Sequence, residues 1–373
     1  MKVLHISNGF AGSEVHSNLV KELDKCGIQQ TVYAPVRSAN AIGWNSFDSD
    51  KVEFVYSNII KTWHKYVYHY KAKVLYRDII SKINVANHDI IHAATLFSDG
   101  ILAYKAYKQF GVPYVIAVRN TDYNDFIRLL RHTWHNGRII MLHASKVFFI
   151  SEGIKKQFES SKFVKPILDK VKDKFVLLPN GIDDYWLDHI VTTPRQGQQI
   201  LYIGNFSENK NVTRLIEAVL CLRKEKAFKN VGLTIVGGGN SSTNTVQNLI
   251  NKHPECIQYL GKIYNKDRLA EVMSSCSIFA MPSIHETFGL VYLEALSQNL
   301  PVLYTKGQGI DGLFDNTVGI GVNPLYVDEI VAALRIMLMK RNYYSNAYVG
   351  FEQFRWRNIA KQYQDFYNQI VSL

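Results

Sequence analysis

Two successive doubly wound α/β domains, each a parallel sheet covered by helices, form the architecture that this sequence predicts. Three observations predict it. The chain has 373 residues, enough for two domains at about 100–200 residues each. Short apolar runs alternate with helix-patterned stretches from end to end, the signature of parallel strands joined by crossover helices. The alternation then restarts once. It does so after Thr192-Thr193-Pro194-Arg195-Gln196-Gly197-Gln198-Gln199, a polar stretch with Pro and Gly that reads as a linker.

In order, Lys2–Ser7, Gln30–Pro35, Val52–Tyr56, Asp89–Ala93, Pro113–Val118, Lys146–Ile150 and Phe175–Leu178 read as strands of the first domain. Val15–Lys25 and Ile101–Phe110 are helix-patterned segments between them. Ile200–Ile203 opens the second domain. Val212, Leu215, Ile216 and Val219 then fall at i, i+3, i+4 and i+7, one face of a helix. Leu233–Val236 is a strand ending in Gly237-Gly238-Gly239, and Ser277–Met281 and Pro301–Tyr304 are further strands. Ile330, Val331, Leu334, Met337 and Leu338 mark another amphipathic helix. The expected domains are 1–191 and 200–350, with 351–373 as a helix that packs at the junction and crosses back to the N-terminal domain. Ligands of such sheets bind at the carboxyl ends of the strands. With two domains, the expected site is the cleft between them.

Composition narrows the classes. Hydrophobic residues make up 47% of the chain and charged residues 20%, a globular mixture unlike a disordered chain. No apolar run approaches the roughly 18 residues of a membrane span. The apolar stretch after Met1 is too short for a signal peptide, so a cytoplasmic protein is expected. Cys26, Cys221, Cys256 and Cys276 are too widely spaced for a metal-ligand pair or a disulfide framework. His132, His135 and His143 form no convincing metal site either. The 43 Lys+Arg against 32 Asp+Glu leave a net charge of +11, which favours an anionic partner. Nucleic acid, an anionic membrane and a phosphorylated ligand all qualify on charge alone.

The most informative stretch runs from Met281-Pro282-Ser283-Ile284-His285-Glu286 through Thr287-Phe288-Gly289-Leu290 to Glu294. A strand ends near Pro282, and a helix is expected from Gly289. Glu286 then lies just before the helix and Glu294 inside it. Eight helical residues rise about 12 Å, so the carboxylates are expected on the order of 10 Å apart. That spacing suits the sugar and the ribose diol of a nucleotide-sugar. The helix N-terminus between them offers N–H groups and a positive dipole end to a diphosphate.

Here the chain resembles glycosyltransferase family 4, the retaining transferases of the GT-B fold. Three further segments match in order. Ile203-Gly204-Asn205-Phe206-Ser207-Glu208-Asn209-Lys210-Asn211 resembles the family's Gly-Arg-x4-Lys-Gly/Asn loop. Ile235-Val236-Gly237-Gly238-Gly239 resembles its strand–glycine turn, and Leu178-Pro179-Asn180-Gly181-Ile182-Asp183 its Pro-Asn-Gly-Val-Asp turn. Asn8-Gly9-Phe10-Ala11-Gly12-Ser13-Glu14-Val15-His16 resembles the N-terminal glycine loop, with Ala11 in place of the first glycine of its pair.

The resemblance implies that Glu286 orients the donor sugar, that Glu294 holds the ribose hydroxyls and that Lys210 faces the leaving diphosphate. It implies donor contacts at Gly12, Asn205, Gly237, Phe288, Gly289 and Leu290, and acceptor-side contacts at Gly9, His16 and Arg119. Asn205 stands where the family often has arginine, and supplies no charge. Arg214 or Lys262 could compensate. Arg119, Asn120 and Asp122 follow a strand where family members commonly carry histidine. Asn120 can bond a sugar hydroxyl, and Asp122 can act as a base or cap a helix.

The expected activity is metal-independent sugar transfer to an acceptor hydroxyl in surface polysaccharide or glycolipid synthesis. No cofactor and no metal are expected. The expected partners are a nucleotide-sugar, UDP- ahead of GDP-, and a carbohydrate or lipid-linked acceptor. Nucleic acid is not expected. A nucleotide-sugar epimerase of the same fold and a basic nucleic-acid-binding protein are the alternatives. The segment from Lys61 to Arg77 mixes lysines with Trp63, Tyr66, Tyr68, Tyr70 and Tyr76. It either packs an aromatic face on its own domain or meets an anionic membrane surface; stacking on bases is the third alternative.

Overall fold

The computed structural model describes residues 1–314, 318–344 and 350–372. It divides into two compact units. The first holds Met1–Ile150, Ile154–Gly181 and Trp356–Leu373, with Leu373 itself outside the described residues; the second holds Ser151–Gly153 and Ile182–Arg355.

The first unit is built on a seven-stranded sheet. Its strands are β1 (Lys2–Ile6), β2 (Gln29–Pro35), β3 (Val52–Ser57), β4 (Ile90–Ala93), β5 (Tyr114–Val118), β6 (Lys146–Phe149) and β7 (Phe175–Leu177). The order is β3-β2-β1-β4-β5-β6-β7, and every pairing is parallel. The order reverses between β1 and β4, which opens a crevice at their carboxyl ends. Val3, Ile90, Val115, Ala117 and Phe148 point into one core, which the helices Glu14–Lys25 and Trp356–Val371 cover.

The C-terminal helix thus belongs to the first unit's core. Trp356, Ile359, Ala360, Tyr363 and Tyr367 form its buried stripe, at helical spacing. Tyr367 Oη lies 2.6 Å from His92 Nδ1 on β4. A Cβ at Gly181 would lie 2.6 Å from the Trp356 ring, so the Asn180-Gly181 turn needs glycine to let the helix start there. The helix begins at Trp356 rather than 351; Phe351–Phe354 is a short 3-10 turn in the second unit.

The second unit has a six-stranded parallel sheet, β10-β9-β8-β11-β12-β13. Its strands are β8 (Gln199–Gly204), β9 (Gly232–Gly237), β10 (Ile257–Tyr259), β11 (Ile278–Ala280), β12 (Val302–Thr305) and β13 (Gly319–Val322). The order reverses between β8 and β11. The unit begins earlier than the expected linker. Residues 182–191 pack on it: Gln298 donates to the His189 carbonyl and Val191 N–H to the Ser297 carbonyl, each at 2.8 Å. The edge strands β10 and β13 were not expected. One is three residues long, and the other carries two glycines, so neither has a period that stands out.

Candidate functional site

At the carboxyl ends of β8 and β11, three loops are tied into one surface. Gly237, with φ of 128°, would place a Cβ only 1.8 Å from the Gly204 carbonyl oxygen. Only glycine allows the β8 and β9 ends to touch backbone to backbone. The buried Phe206 ring fills the gap beneath, 5.8 Å from the Tyr259 ring.

The segment Asn209–Asn211 clamps the loop before the helix. Asn209 Nδ2 donates to the His285 carbonyl at 2.9 Å, and its Oδ1 accepts the His285 N–H at 2.9 Å. Asn211 adopts φ of 55° and is 2% exposed. Its Nδ2 donates to the carbonyls of Pro282 and Pro324 at 2.9 and 2.7 Å. Lys210, held between them, puts Nζ 2.6 Å from Glu286 Oε2; the two side chains are 23% and 10% exposed. Residues 76 positions apart in sequence thus meet in an ion pair.

Glu286 is positioned from its other side as well. Its N–H donates to Gln308 Oε1 at 2.7 Å, and its carbonyl accepts the Gly309 N–H at 3.0 Å. Its Oε1 accepts the Thr287 N–H at 3.1 Å. Gly289 and Gly309 both have positive φ, and a Cβ on either would approach Glu286 Cγ to 3.2 Å. Two glycines therefore leave the room that the glutamate occupies.

Gly289 is the N-cap of the helix Leu290–Ser297, and no side chain caps it. The first N–H groups of a helix have no intrahelical acceptor, so this end offers donors and positive dipole to an anion. Leu290 is half-buried there, whereas the Phe288 ring is 2% exposed and belongs to the core. Phe288, expected as a donor contact, can reach a ligand only through its backbone. Glu294 is half-buried on the same helix, and its carboxylate has no hydrogen-bond partner among the described residues. Burial and then the nearby Asp183 carboxylate push its pKa up to about 7, against the pull of Lys266.

Asn205 is exposed, and its Oδ1 accepts the Ser207 N–H at 3.1 Å, so part of its bonding capacity shapes its own turn. Of the two compensating cations, Arg214 is bound to Asn211 Oδ1 at 2.9 Å. Lys262 is exposed, with Nζ 3.9 Å from where a Gly239 Cβ would lie.

The remaining expected residues lie in the first unit. Gly9 and Gly12 are exposed in the loop after β1. His16 lies behind that loop, its Nε2 4.0 Å from where a Gly9 Cβ would stand. Burial, then the Arg119 and His5 charges, lowers the His16 pKa to about 3, which keeps it neutral. Arg119 donates to Asn180 Oδ1 at 2.8 Å and to the Ala94 carbonyl at 3.4 Å, joining the end of β5 to the Pro-Asn-Gly turn. Asn120 is exposed and bonded to Asn124.

Asp122 corrects the expectation of a base or a helix cap. It is fully buried, and its carboxylate accepts the N–H groups of Leu96, Phe97 and Arg119 at 3.1, 2.9 and 2.9 Å. It staples two loops together and has no face left for a sugar. Burial still raises its pKa to about 7.

Four positioning residues escaped sequence reasoning: Asn209, Asn211, Gln308 and Asp99. Gln308 carries a usable signal, flanked by glycines just past the carboxyl end of β12. Buried Asp99 accepts both the Asn8 N–H and its side-chain amide, and so sets the start of the glycine loop. A single aspartate before a helix gives no such hint. Another cavity, of about 490 Å³, opens at the amino ends of β8–β10, lined by Gln199, Arg223 and Glu255 among others. That is the end of a parallel sheet where ligands do not bind. No three His, Cys, Asp or Glu side chains among the described residues are grouped to hold a metal ion. No helix among them is long and apolar enough to cross a membrane.

Residues 11–185 match the sequence family described as Glycosyltransferase Family 4, and residues 197–340 match Glycosyl transferases group 1. The phosphatidyl-myo-inositol mannosyltransferase of Mycobacterium leprae is 25% identical over 207 residues, 53% of this chain and 54% of that one. The N-acetyl-alpha-D-glucosaminyl L-malate synthase of Bacillus anthracis is 27% identical over 179 residues, 46% and 45% of the two chains. The chain thus spans about half the length of these two curated relatives. Among solved structures, sucrose-phosphate synthase from Thermosynechococcus elongatus superposes with a TM-score of 0.74 at 16% identity, covering 100% of this chain and 99% of that one. Anabaena HepE in complex with UDP-glucose superposes with a TM-score of 0.69 at 15% identity, covering 99% and 100%. At these identities the likeness is one of fold.

Proposed function

The chain belongs to glycosyltransferase family 4 and has the GT-B fold; from that premise we propose that it moves a sugar from a nucleotide-sugar to an acceptor hydroxyl, retaining the anomeric configuration and needing no metal. The observation that carries this reading is the Lys210–Glu286 ion pair at the uncapped head of the helix Leu290–Ser297, with Glu294, whose carboxylate has no hydrogen-bond partner among the described residues, further along it. One cation, a helix head without a side-chain cap and two carboxylates suit the charge pattern of a nucleotide-sugar.

The roles follow from charge. A diphosphate carries more negative charge than one carboxylate, so a bound donor draws Lys210 from Glu286. Glu286 then accepts hydrogen bonds from the sugar hydroxyls. Lys210 and the helix head steady the charge that grows on the leaving diphosphate. A fixed donor or cation of this kind is worth roughly 10²–10³ in rate. Glu294 accepts the ribose hydroxyls, and the leaving phosphate takes the acceptor's proton. UDP is the proposed nucleotide; HepE with UDP-glucose, a protein of the same fold, supports that choice.

The proposed acceptor is a carbohydrate or lipid-linked hydroxyl at an anionic membrane surface. The support is the exposed Trp63, Tyr66 and Tyr70 beside the lysines of this segment, with the Trp63 and Tyr70 rings 5.3 Å apart. The test is a panel of UDP-, GDP- and ADP-sugars, read by thermal shift and then by transfer with and without a chelator. A UDP-sugar should stabilise the protein and turn over in chelator, and the product should keep the donor's anomeric configuration. No stabilisation by any nucleotide-sugar, or an inverted product, would overturn the proposal.

A further inference from the structure

Residues 283–286, which carry Glu286, form neither helix nor strand, yet every backbone polar group among them has a partner. The Ser283 N–H donates to the Met281 carbonyl at 2.8 Å, and the Ile284 N–H to the Asn209 carbonyl at 2.7 Å. The Thr305 hydroxyl donates to the Ser283 carbonyl at 2.5 Å. Gln308 Nε2 donates to the Ile284 carbonyl at 3.1 Å, while its Oε1 takes the Glu286 N–H. The Asn209 and Gly309 contacts given above complete the set. One side of this bracket is the segment 305–311, and what holds that segment in turn is Asp311.

The segment is sharply bent. Gly307, Gly309 and Gly312 have φ of 76°, 59° and 78°, so glycines flank Gln308 on both sides. Glycine leaves such a conformation as readily as it enters it. Asp311 closes the bend: its Oδ2 accepts the Gly307 N–H, and its Oδ1 accepts the Tyr304 hydroxyl at 3.4 Å. The Asp311 N–H donates to the Gln308 carbonyl at 3.0 Å, and the Gln308 N–H to the Thr305 carbonyl at 3.2 Å. Ile310, 2% exposed, anchors the turn in the core. From this arrangement we infer that Asp311 is a positioning residue for Glu286. Its carboxylate fixes the turn that presents Gln308, and Gln308 fixes the backbone of Glu286.

The effect reaches Glu286 at one remove. A carboxylate that accepts a backbone N–H makes a bond roughly twice as strong as a neutral acceptor would. Without it, Gly307 is released from the left-handed region, and the turn at Gln308 loosens. The Gln308 amide then leaves the Ile284 carbonyl and the Glu286 N–H together, because one side chain makes both bonds. Gly309 follows, since its N–H holds the Glu286 carbonyl. Asn209 and Asn211 still grip the loop from the other side, so the loop shifts and does not unfold. A displacement of about 1 Å at a reacting group can cost on the order of 10²-fold in rate.

This inference rests on the role proposed for Glu286 in transfer, but half of its test needs no substrate. Amide hydrogen exchange is followed in the wild type, Asp311→Ala, Asp311→Asn and Gln308→Ala. In Asp311→Ala, peptides covering 284–290 and 305–311 should exchange at least tenfold faster. Those covering β8 and β9 should keep the wild-type rate. Asp311→Asn keeps an acceptor for the Gly307 N–H, so its exchange at 284–290 should speed up at least twofold and less than in Asp311→Ala. Turnover is read per folded molecule with UDP-glucose and the other UDP-sugars of the panel above. In Asp311→Ala, kcat should fall tenfold or more while UDP affinity stays within twofold. The double variant with Gln308→Ala should lose no more than Gln308→Ala alone, because both changes remove the same support.

Wild-type exchange at 284–290 in a folded Asp311→Ala would overturn the inference. So would equal speeding in β8 and β9, which would make Asp311 a general stabiliser, or additive losses in the double variant. Gly307 is exposed, so water can replace the lost acceptor and Asp311→Ala folds. Should it not, Asp311→Asn decides, and unchanged exchange at 284–290 in that variant overturns the inference as well. No turnover of any nucleotide-sugar by the wild type would instead strike the transferase reading. The exchange rates would then decide the positioning of Glu286 by themselves.

Discussion

Replacing Glu294 with Ala should weaken donor binding without weakening the fold, and the two signs can be worked separately. The carboxylate has no protein partner among the described residues, so its removal breaks no internal bond. Its folded pKa, raised to about 7 from 4.5, sets the sign for stability. The folded state keeps the proton that the unfolded chain has already released. Stability attributable to this group therefore falls as pH rises from about 4.5 to about 7. At pH 7.5 the ionised Glu294 is the costly form, and alanine, the better helix former, removes it. The melting temperature at pH 7.5 should stay level or rise. A hydrogen bond to a charged group contributes about 1.5–3 kcal/mol. One such bond from a ribose hydroxyl converts to a loss on the order of 10- to 150-fold in Kd. Calorimetric titration with UDP gives the affinity, and a thermal melt the stability. Unchanged affinity in a folded variant would refute the ribose role. A fall in melting temperature that tracks the lost affinity would make Glu294 a structural residue instead.

Because the ribose hydroxyls prefer the ionised carboxylate, UDP affinity should rise between pH 6 and pH 8 in the wild type relative to Glu294→Gln. Parallel pH profiles for the two proteins would count against it. Glu286→Gln should cut transfer about 10²–10³-fold while UDP affinity moves little; a comparable loss of UDP binding would mean that Glu286 serves the nucleotide and not the sugar. Gly309→Ala forces a Cβ to φ of 59° and to within 3.2 Å of both Glu286 Cγ and the Phe288 carbonyl. It should cost about 1–2 kcal/mol in a denaturant melt, with a drop in turnover per folded molecule. Asp122→Asn turns an amide N–H toward one of three backbone donors and should cost about 1–3 kcal/mol of stability. Activity per folded molecule should stay at wild-type level, and a specific loss of kcat would return Asp122 to the chemistry.

The parts of this molecule that were readable in sequence are those that repeat a period. Strands β4, β5, β11 and β12 are buried along their whole length, and β1, β5 and β12 fall within a residue of where the apolar runs place them. The helix head at Gly289 was readable because a glycine, a loop and an apolar run coincide. What stayed hidden is contact between segments far apart in the chain. Nothing in Asn209-Lys210-Asn211 announces that all three reach across to the 282–286 loop. Asp122 misled for the same reason. An aspartate after a strand looks alike whether its carboxylate faces substrate or three backbone N–H groups.

The charge shows the same limit in its sharpest form. A net +11 favours an anionic partner but says nothing of place. Folding sorts the cations by what already holds them. Arg335 is paired with Glu225, and Arg355 with Asp184, Asp188 and Glu352. Such cations carry no argument for a ligand, because their charge is locally balanced. Among the described residues Lys210 is paired with Glu286 alone, just before an uncapped helix head. Arg37 and Lys71 line a cavity whose other lining residues carry no charge. An excess of positive charge thus becomes evidence for a ligand only where a cavity or a helix head leaves it unanswered. Among the described residues that test picks out Lys210 at the helix head and the pair Arg37 and Lys71 in a cavity of the first unit.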